Sequence, residues 1–426
     1  VRGVRGTTAA SHADGVAVQE ANAFVGWGES SSITAETGSN LRLYAQDNWG
    51  EDLIFNVYDG TPYYWDKTLG LGSRATALSA QSGASDAPTR TRRIMVSGAD
   101  RHVVCFGCNP LGSSTQDLLM VRWSDQESPV DWTPTVTNTS GSQRLSSGSE
   151  IMAVQKTRQE MLIWTDSALH SMRFTGPPFG FSMLANNVSI IGPNAAATTG
   201  DKVFWMDREN FYAYTGRVEI IPCTLLRYVF DDINLDQSFK CFAAANKMFD
   251  EVFWFYPSAA SDEIDRYVKY NFTENTWDLG TLSRTAWVDH GIHNNPRACG
   301  KASGSSYVYI QETGDSDDGA AMSSFIESAD FDLGDGEQFM FVSRLIPDID
   351  ITSTDSSAAV NYVLKTRNYP GDSLATNSTS VVTSSTQQSF LRSRSRQVSL
   401  RIESSASDLT WTLGDLRLDL KPDGRR

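Results

Sequence analysis

A tryptophan that recurs at a fixed interval is the feature that most constrains the fold of this chain. Segments 121–125, 162–166 and 203–207 each begin with an apolar residue and carry Trp, any residue and Asp at their last three positions, and the tryptophans are spaced 41 residues apart. Residues 252–254 repeat Val-Phe-Trp 49 residues later without the Asp, and 63–66 resemble a diverged copy. The predicted core tryptophans are Trp123, Trp164, Trp205 and Trp254. We predict that the first three occupy equivalent positions in three consecutive blades.

Two of these segments continue as β-hairpins. Apolar strands at 161–164 and 203–205 run into polar turns and then into alternating strands at 169–172 and 211–214. A unit of about 40–45 residues with four short strands is the spacing of propeller blades, which must stack around an axis to bury both faces. We therefore predict an all-β chain with a β-propeller over residues 1–330. An array of β-sandwiches is the alternative. Residues 223–234 predict one short helix between blades.

The C-terminal part differs in composition and predicts a separate domain. Residues 311–321 are rich in Gly, Asp and Ser, which is typical of a linker or exposed loop. Beyond them, strands are predicted at 339–351, 362–365, 397–402 and 409–420. The apolar parity of the last strand switches at Gly414, which indicates a β-bulge. We predict a small β-sandwich over residues 331–426.

The charge balance excludes tight binding to nucleic acid. The chain has 426 residues, with 36 Lys and Arg against 51 Asp and Glu, a net charge of −15. Such a chain repels DNA, a useful property in a channel wall, although the same charge also keeps a protein soluble. The predicted channel-lining residues are Asp315, Asp317, Asp318, Glu327 and Glu337.

Three arginines alternate with other residues near the C-terminus. Arg392, Arg394 and Arg396 share one parity, which places them on one strand face, and that parity continues into the apolar residues 398, 400 and 402. We predict that this face passes from charged to buried. The arginines are either contacts to an acidic neighbouring subunit or a solvated strand end that discourages edge pairing.

The sequence contains no recognisable catalytic or metal-binding constellation. Cys105 and Cys108 have zinc-knuckle spacing without a second ligand pair, so buried thiols are expected. His290 and His293 lie in a segment with Gly and Pro that favours a loop over a metal-binding helix. The acidic 315–319 segment lacks the final Glu of a calcium loop. We therefore expect no cofactor, no metal and no enzymatic activity, and no apolar run reaches the roughly 18 residues of a membrane span.

Residues 160–168, followed by Gly176, resemble the blade motif of tail nozzle proteins of short-tailed phages, the tail tubular protein B type. The 228–236 stretch is similar to the interblade helix of those proteins, and 395–419 resemble the last strands of packaged-DNA stabilisation or needle-hub proteins. The resemblance covers about 150–426, and the chain is shorter than the large nozzles.

The resemblance implies a homo-oligomeric, typically six-fold ring in the virion tail, assembled in the host cytoplasm. The ring would lie below the tail adaptor ring, contact tail fibre or needle proteins, extend the channel, retain the genome and let double-stranded DNA pass. The alternative is a receptor- or sugar-binding propeller, such as a glycan hydrolase.

Overall fold

The computed structural model describes residues 42–98, 100–176, 179–302, 305–334, 336–354 and 358–425, so the first 41 residues of the predicted propeller domain lie outside the description. The chain divides into two compact units, Val1–Gln311 and Glu312–Arg426. This boundary precedes the predicted one at 330/331, because the strand Ser324–Glu327 pairs with the C-terminal strand Gln397–Ser404 and belongs to the second unit.

The described part of the first unit folds into six antiparallel sheets, numbered here as blades 1 to 6 in chain order. In each blade the strands follow the order of the chain, so every blade is a meander. The first three blades contain β1 (Tyr44–Trp49), β2 (Asp52–Val57), β3 (Pro62–Trp65) and β4 (Thr76–Ala77); β5 (Arg93–Val96), β6 (Val103–Phe106), β7 (Met120–Trp123) and β8 (Gly141–Arg144); and β9 (Ile151–Lys156), β10 (Met161–Thr165), β11 (Ala168–Arg173) and β12 (Gly180–Asn186). The next three contain β13 (Ala196–Thr199), β14 (Lys202–Met206), β15 (Phe211–Tyr214) and β16 (Val218–Ile220); β17 (Phe242–Asn246), β18 (Glu251–Tyr256), β19 (Arg266–Asn271) and β20 (Thr276–Thr281); and β21 (Ala286–Val288), β22 (Arg297–Ala302) and β23 (Ser305–Ile310).

Hydrogen bonds join each blade to the next one along the chain. They run from Thr91 N to Gly60 O, from Arg92 Nη1 to Ile151 O, from Gln155 Nε2 to Thr198 Oγ1, from Ala243 N to Asn194 O and from Trp287 Nε1 to Ala245 O. The first strands of neighbouring blades also contact one another, β1 with β5, β9 with β13, β13 with β17 and β17 with β21. Small meanders stacked through their first strands form a β-propeller, as the repeat predicted.

The predicted hairpins and helix are present. Strands β10 and β11 pair around a turn at Asp166, and β14 pairs with β15. The helix α1 (Leu226–Phe230) lies between blades 4 and 5, within the predicted 223–234 segment but shorter. Short 3-10 turns occupy Lys67–Leu69, Leu78–Ala80 and Leu235–Lys240. No helix in the described parts of the chain has the length and apolar character needed to cross a bilayer.

The second unit is a small β-sandwich. Its strands are β24 (Ser316–Asp317), β25 (Ala320–Ala321), β26 (Ser324–Glu327), β27 (Met340–Ile346), β28 (Ile349–Ser353), β29 (Val360–Arg367), β30 (Ala375–Val382), β31 (Ser393–Ser395), β32 (Gln397–Ser404), β33 (Leu409–Leu413) and β34 (Arg417–Pro422). One layer has the spatial order β26-β32-β29-β30. The facing layer comprises β31-β27-β34 and the β28-β33 pair, and both layers contribute to one apolar core. The β24-β25 pair is a separate hairpin within the predicted linker.

The β-bulge predicted at Gly414 is instead a break between two strands, because β33 pairs with β28 whereas β34 pairs with β27. The Gly414 amide donates to the Asp348 carbonyl at 2.8 Å, and a Cβ at this position would lie 2.7 Å from the Asp348 carboxyl carbon. A side chain at this position would therefore require Asp348 to move, and Trp411 on one side and Leu418 on the other both pack against the same core.

Candidate functional site

Three of the four predicted core tryptophans occupy equivalent positions. Trp164, Trp205 and Trp254 each lie on the second strand of a blade, are almost fully buried, and pair with an alanine of the first strand. The alanine partners are Ala153, Ala196 and Ala243. A small residue near the axis leaves room for the indole, and Trp164 and Trp205 touch edge to face at 5.3 Å across two blades.

The predicted equivalence of Trp123 is wrong. Trp123 is buried, but it lies on the third strand of blade 2, where it pairs with Val104 and Gly141. Its ring packs against Phe179 at 5.2 Å, and its Nε1 donates to the Thr139 carbonyl at 2.8 Å. The equal spacing from Trp123 to Trp164 therefore arises from loop lengths and not from a shared place in the blade.

Two aspartates of the repeated motif stabilise loops by accepting hydrogen bonds from them. Asp125 accepts hydrogen bonds from the Thr139 amide and hydroxyl, both at 2.7 Å, and Asp166 accepts from the Ser149 amide and hydroxyl at 2.7 and 2.6 Å. Burial raises the pKa of each carboxyl, but these hydrogen bonds outweigh it and lower the pKa below its usual value. Asp207 differs, because burial raises the pKa of its carboxyl overall.

Polar contacts across the propeller axis connect blades that are not neighbours in sequence. Asp47 on β1 forms an ion pair with Lys156 on β9 at 2.7 Å, and its carboxylate also accepts from the Val96 amide on β5 at 2.9 Å. Lys156 donates in addition to the Val96 carbonyl at 3.1 Å. One ion pair thus ties together the first strands of blades 1, 2 and 3.

A second set of charged groups lies where the same blades meet. The buried Arg92 guanidinium forms ion pairs with Asp59 at 3.2 Å and Glu150 at 2.7 Å, and it lies 5.2 Å from the Tyr58 ring centroid. Burial lowers the pKa of Arg92, but the neighbouring Tyr58 and the two carboxylates raise it overall. Burial also raises the pKa of Tyr58 to about 12, so the phenol stays protonated.

Side chains close the propeller axis at the level of Tyr58 and Arg93. Tyr58 contacts Phe239, which precedes blade 5, at 5.9 Å, while Arg93 on β5 donates to Pro193 O at 2.8 Å and Asn194 Oδ1 at 3.2 Å. The cavity between Tyr58, Arg93 and Met152 measures about 10 Å³, the size that holds a single water molecule. The cavity at this level has room for nothing larger than a water molecule, and the Arg92 guanidinium in its wall is ion-paired with carboxylates next to blades 1 and 3.

Other groups weighed from the sequence are dispersed. Cys105 and Cys108 are buried thiols, as predicted, and burial raises the pKa of both. His290 lies in a loop, where its Nδ1 contacts Asp289 at 3.0 Å. Among the residues that the structure describes, no group of three His, Cys, Asp or Glu side chains is arranged to hold a metal ion.

The arginine segment has the predicted change of face. Arg394 on β31 is exposed between the buried Ser393 and Ser395, whereas the residues of the same parity on β32 are buried. The chain crosses from one layer of the sandwich to the other at Arg396, so the same parity turns from solvent to core. Arg394 forms an ion pair with Asp423 and lies 4.1 Å from the Phe339 ring centroid, and Arg396 lies 5.1 Å from it. Arg392 is exposed, with φ 45°.

The predicted channel acids belong to the second unit and differ among themselves. Asp315, Asp317 and Asp318 are exposed at the β24-β25 hairpin. Glu327 on β26 is instead half-buried and ion-paired with Lys365 at 2.6 Å and Arg401 at 3.0 Å, so its charge is neutralised within the chain. Glu337 lies 3.3 Å from the Arg425 guanidinium. The hairpin acids and Glu337 are therefore the exposed members of the predicted set, whereas Glu327 is not.

The axial residues were missed in the sequence because the partners are far apart along the chain. Asp47 and Lys156 are separated by 109 residues, and Arg93 and Asn194 by 101. The sequence signal that could have marked them is a charged or polar residue on the first strand of each blade, where small and apolar residues otherwise predominate.

No protein-family model matches the chain, and no curated protein matches it. Among solved structures, the chain is similar to the extracellular domain of the putative one component system BT4673 from B. thetaiotaomicron, with a TM-score of 0.40 and 11% identity over 64% of this chain and 32% of that chain. The match therefore spans about a third of the length of that protein.

Two further structures show weaker similarity. They are the Synechocystis apocarotenoid oxygenase mutant Trp149Ala, with TM-score 0.34, 9% identity and 64% and 68% coverage of the two chains, and the N-terminal domain of Nup159, with TM-score 0.35, 8% identity and 62% and 74% coverage. Similarities at this level carry no argument about function.

Proposed function

We propose that the chain is a structural subunit of a short-tailed phage tail, in which several copies form a nozzle or hub ring. The observation that carries the proposal is the propeller axis, where the Asp47–Lys156 pair and the Arg92 cluster fill the place that a ligand pocket would occupy. Such a propeller serves as a rigid building block. The resemblance of segment 160–168 to the blade motif of tail nozzle proteins supports the identity that we propose for the assembly.

The proposed DNA channel lies between subunits and not within one propeller. The major groove of B-DNA alone is about 12 Å wide, so a duplex cannot enter an axis whose cavity holds one water molecule. A ring of several copies encloses a channel of sufficient width. The proposed six-fold ring lies below the tail adaptor ring and contacts tail fibre or needle proteins in the virion.

The charge of the chain supports passage of DNA without retention by tight binding. Each Lys or Arg that neutralises a phosphate adds affinity, whereas an acidic wall keeps the duplex hydrated and centred. The exposed Asp315, Asp317 and Asp318 are the proposed contributors to that wall. Their influence reaches about 8–10 Å at physiological salt.

The test is direct imaging of the purified full-length chain and of the particle from which it comes. We expect closed rings by negative-stain electron microscopy, the same ring at the end of the tail, and no binding of duplex DNA in a filter assay at physiological salt. Hydrolysis of glycans, or glycan binding by a chain that stays monomeric, would favour the receptor-binding alternative. A particle that lacks the chain in its tail would contradict the proposal.

A further inference from the structure

The outer strand β30 presents an open sheet edge without the usual protection. It is eight residues long and pairs only with β29 among the described strands. Natural edge strands are commonly protected by charged residues, proline or short length. Segment 373–391, which contains β30, has no charged residue and no proline. One bulge lies opposite Leu364 and Lys365, and it leaves 378–382 regular.

The opposite edge of the same layer is β26, and it exposes apolar side chains on both faces. Phe325 is 51% exposed on the outer face and Ile326 is 52% exposed. Ile326 pairs with the buried Ile402, so it points toward the inside of the sandwich although the facing layer leaves it uncovered. An additional strand beside β26 would cover both side chains.

The two edges are in register with each other. Phe325 pairs with Glu403, Glu403 pairs with Asn361, and Asn361 pairs with Val381 on β30. Cross-strand partners share one face of a sheet, so Phe325 and Val381 end the same row on the same face. Val381 is 61% exposed. A second copy placed beside the first without a shift along the strands brings its Phe325 opposite Val381.

Strand direction and charge are both compatible with this arrangement. All neighbours in the layer are antiparallel, so β26 of a second copy runs antiparallel to β30 of the first. The exposed Asp315, Asp317 and Asp318 precede β26, and in this antiparallel pair they flank the end of β26 that lies beside the C-terminal end of β30. The Ser380 hydroxyl contacts the Ser389 hydroxyl, so the segment leading to the exposed Arg392 lies on the β30 side. Acidic groups thus flank one edge, and a basic group flanks the other.

We infer that neighbouring subunits join by strand addition, with β30 of one copy pairing antiparallel with β26 of the next. This contact is heterologous, uses each edge once, and repeats around a closed ring. The inference rests on the proposed ring and names its interface. Phe325 and Val381 form the central apolar pair of that interface, and each is partly exposed in a single copy, Phe325 with the Arg401 guanidinium 3.8 Å from its ring centroid.

The experiment mixes two full-length variants that carry different affinity tags, Phe325→Cys and Val381→Cys. A short bis-maleimide should cross-link the cysteine at position 325 of one variant to the cysteine at position 381 of the other, giving dimers that carry both tags. The yield of cross-linked dimer should be at least about tenfold above that of either variant alone, because only the mixture brings the two cysteines together. The native cysteines are controlled by the same reaction on the unsubstituted chain. Links within Val381→Cys alone, or no link in the mixture, would overturn the inference.

A second arm uses Val381→Lys, which adds the edge charge that natural sheets use for protection. We expect the ring to dissociate, with association weakened by at least about tenfold, equivalent to about 1.4 kcal/mol. Val136→Lys, at a fully exposed residue of the first unit, is the matched control and should leave assembly unchanged. Rings that persist in Val381→Lys would refute this interface and leave the tail-ring proposal intact. If the cysteines on β26 and β30 are cross-linked but the protein is absent from any tail, the proposed function alone would be refuted.

Discussion

Replacing Trp205 by Ala should be among the most destabilising single changes in the propeller. The side chain is fully buried, stacks on Tyr212 at 5.3 Å and touches Trp164 of the neighbouring blade at 5.3 Å. Its Nε1 donates to the Ser189 carbonyl at 3.1 Å. The substitution therefore removes contacts within one blade, between two blades and to the connection that precedes blade 4.

The expected loss follows from the area and the cavity. Burial of a Trp side chain removes about 150–250 Å² from water, which at about 25 cal/mol per Å² corresponds to about 4–6 kcal/mol as an upper estimate. Measured Trp to Ala changes in protein cores cost about 3–5 kcal/mol. The site cannot collapse easily, because Ala196 is already small. We expect a loss of about 4 kcal/mol, a large part of the usual total of about 5–15 kcal/mol.

The measurement is urea unfolding at 25 °C followed by far-ultraviolet circular dichroism, fitted with separate transitions if the two units unfold separately. Trp205→Phe retains an aromatic ring and loses the hydrogen bond, so it should cost about 1–2 kcal/mol. Leu71→Ala, at a side chain that is 94% exposed, should stay within about 0.5 kcal/mol. A free energy of unfolding for Trp205→Ala within about 1 kcal/mol of the parent would refute the assignment of this ring to the interblade core.

Three further predictions address other parts of the propeller. Gly141→Ala places a Cβ 2.6 Å from the Trp123 ring and should cost about 1–3 kcal/mol in thermal unfolding, whereas Gly291→Ala, which meets no atom, should be neutral. Burial lowers the pKa of His102 and of His170, so the unfolded chain binds protons more readily and the stability of the fold should fall as the pH drops below about 6.5. The variant His102→Gln should flatten this pH dependence in melting curves between pH 5 and 8. An unchanged slope would contradict the prediction. The pKa of the Asp166 carboxyl is below its usual value despite burial, so its contribution to the stability of the fold is present above about pH 4 and is lost as the pH falls through the folded-state pKa. The variant Asp166→Asn should therefore be less stable at pH 7 and should lose less stability between pH 7 and pH 3. Unfolding measured at pH 3 and at pH 7 checks both expectations.

The propeller was predictable because its local elements obey short-range rules. The β10-β11 and β14-β15 hairpins were visible as an apolar strand, a polar turn and an alternating strand, and the structure confirms both. The Trp spacing pointed correctly to blades, because Trp164 and Trp205 lie at the same place in consecutive meanders. Trp254 belongs to the same set, although its motif lacks the Asp, since the position is determined by its Ala243 partner and not by the loop that follows.

Trp123 shows that an equal spacing in the sequence does not by itself define equivalent positions in the blades. The spacing between two residues along the chain is the sum of the strand and loop lengths between them. The position of a residue within a blade is determined by strand pairing instead. The long connection between β7 and β8 in blade 2, residues 124–140, shifts the register of the sequence relative to the blades, so that a third-strand Trp falls 41 residues before a second-strand one. The axial ion pairs are invisible for a related reason, because they join strands from different blades.

The two units differ in how their charged and apolar side chains are arranged. In the propeller, charged groups on and beside the first strands pair across blades, so substitutions there act on stability before they act on any partner. In the sandwich, the core is closed in the centre, but the row from Phe325 to Val381 ends in exposed apolar side chains at both edges. Exposed apolar edges are selected against in a monomer, because they promote unwanted strand pairing. Their retention at two matched ends of one row is therefore understandable if the chain works as one repeating member of an assembly, with the propeller as its rigid body and the sandwich as its joint.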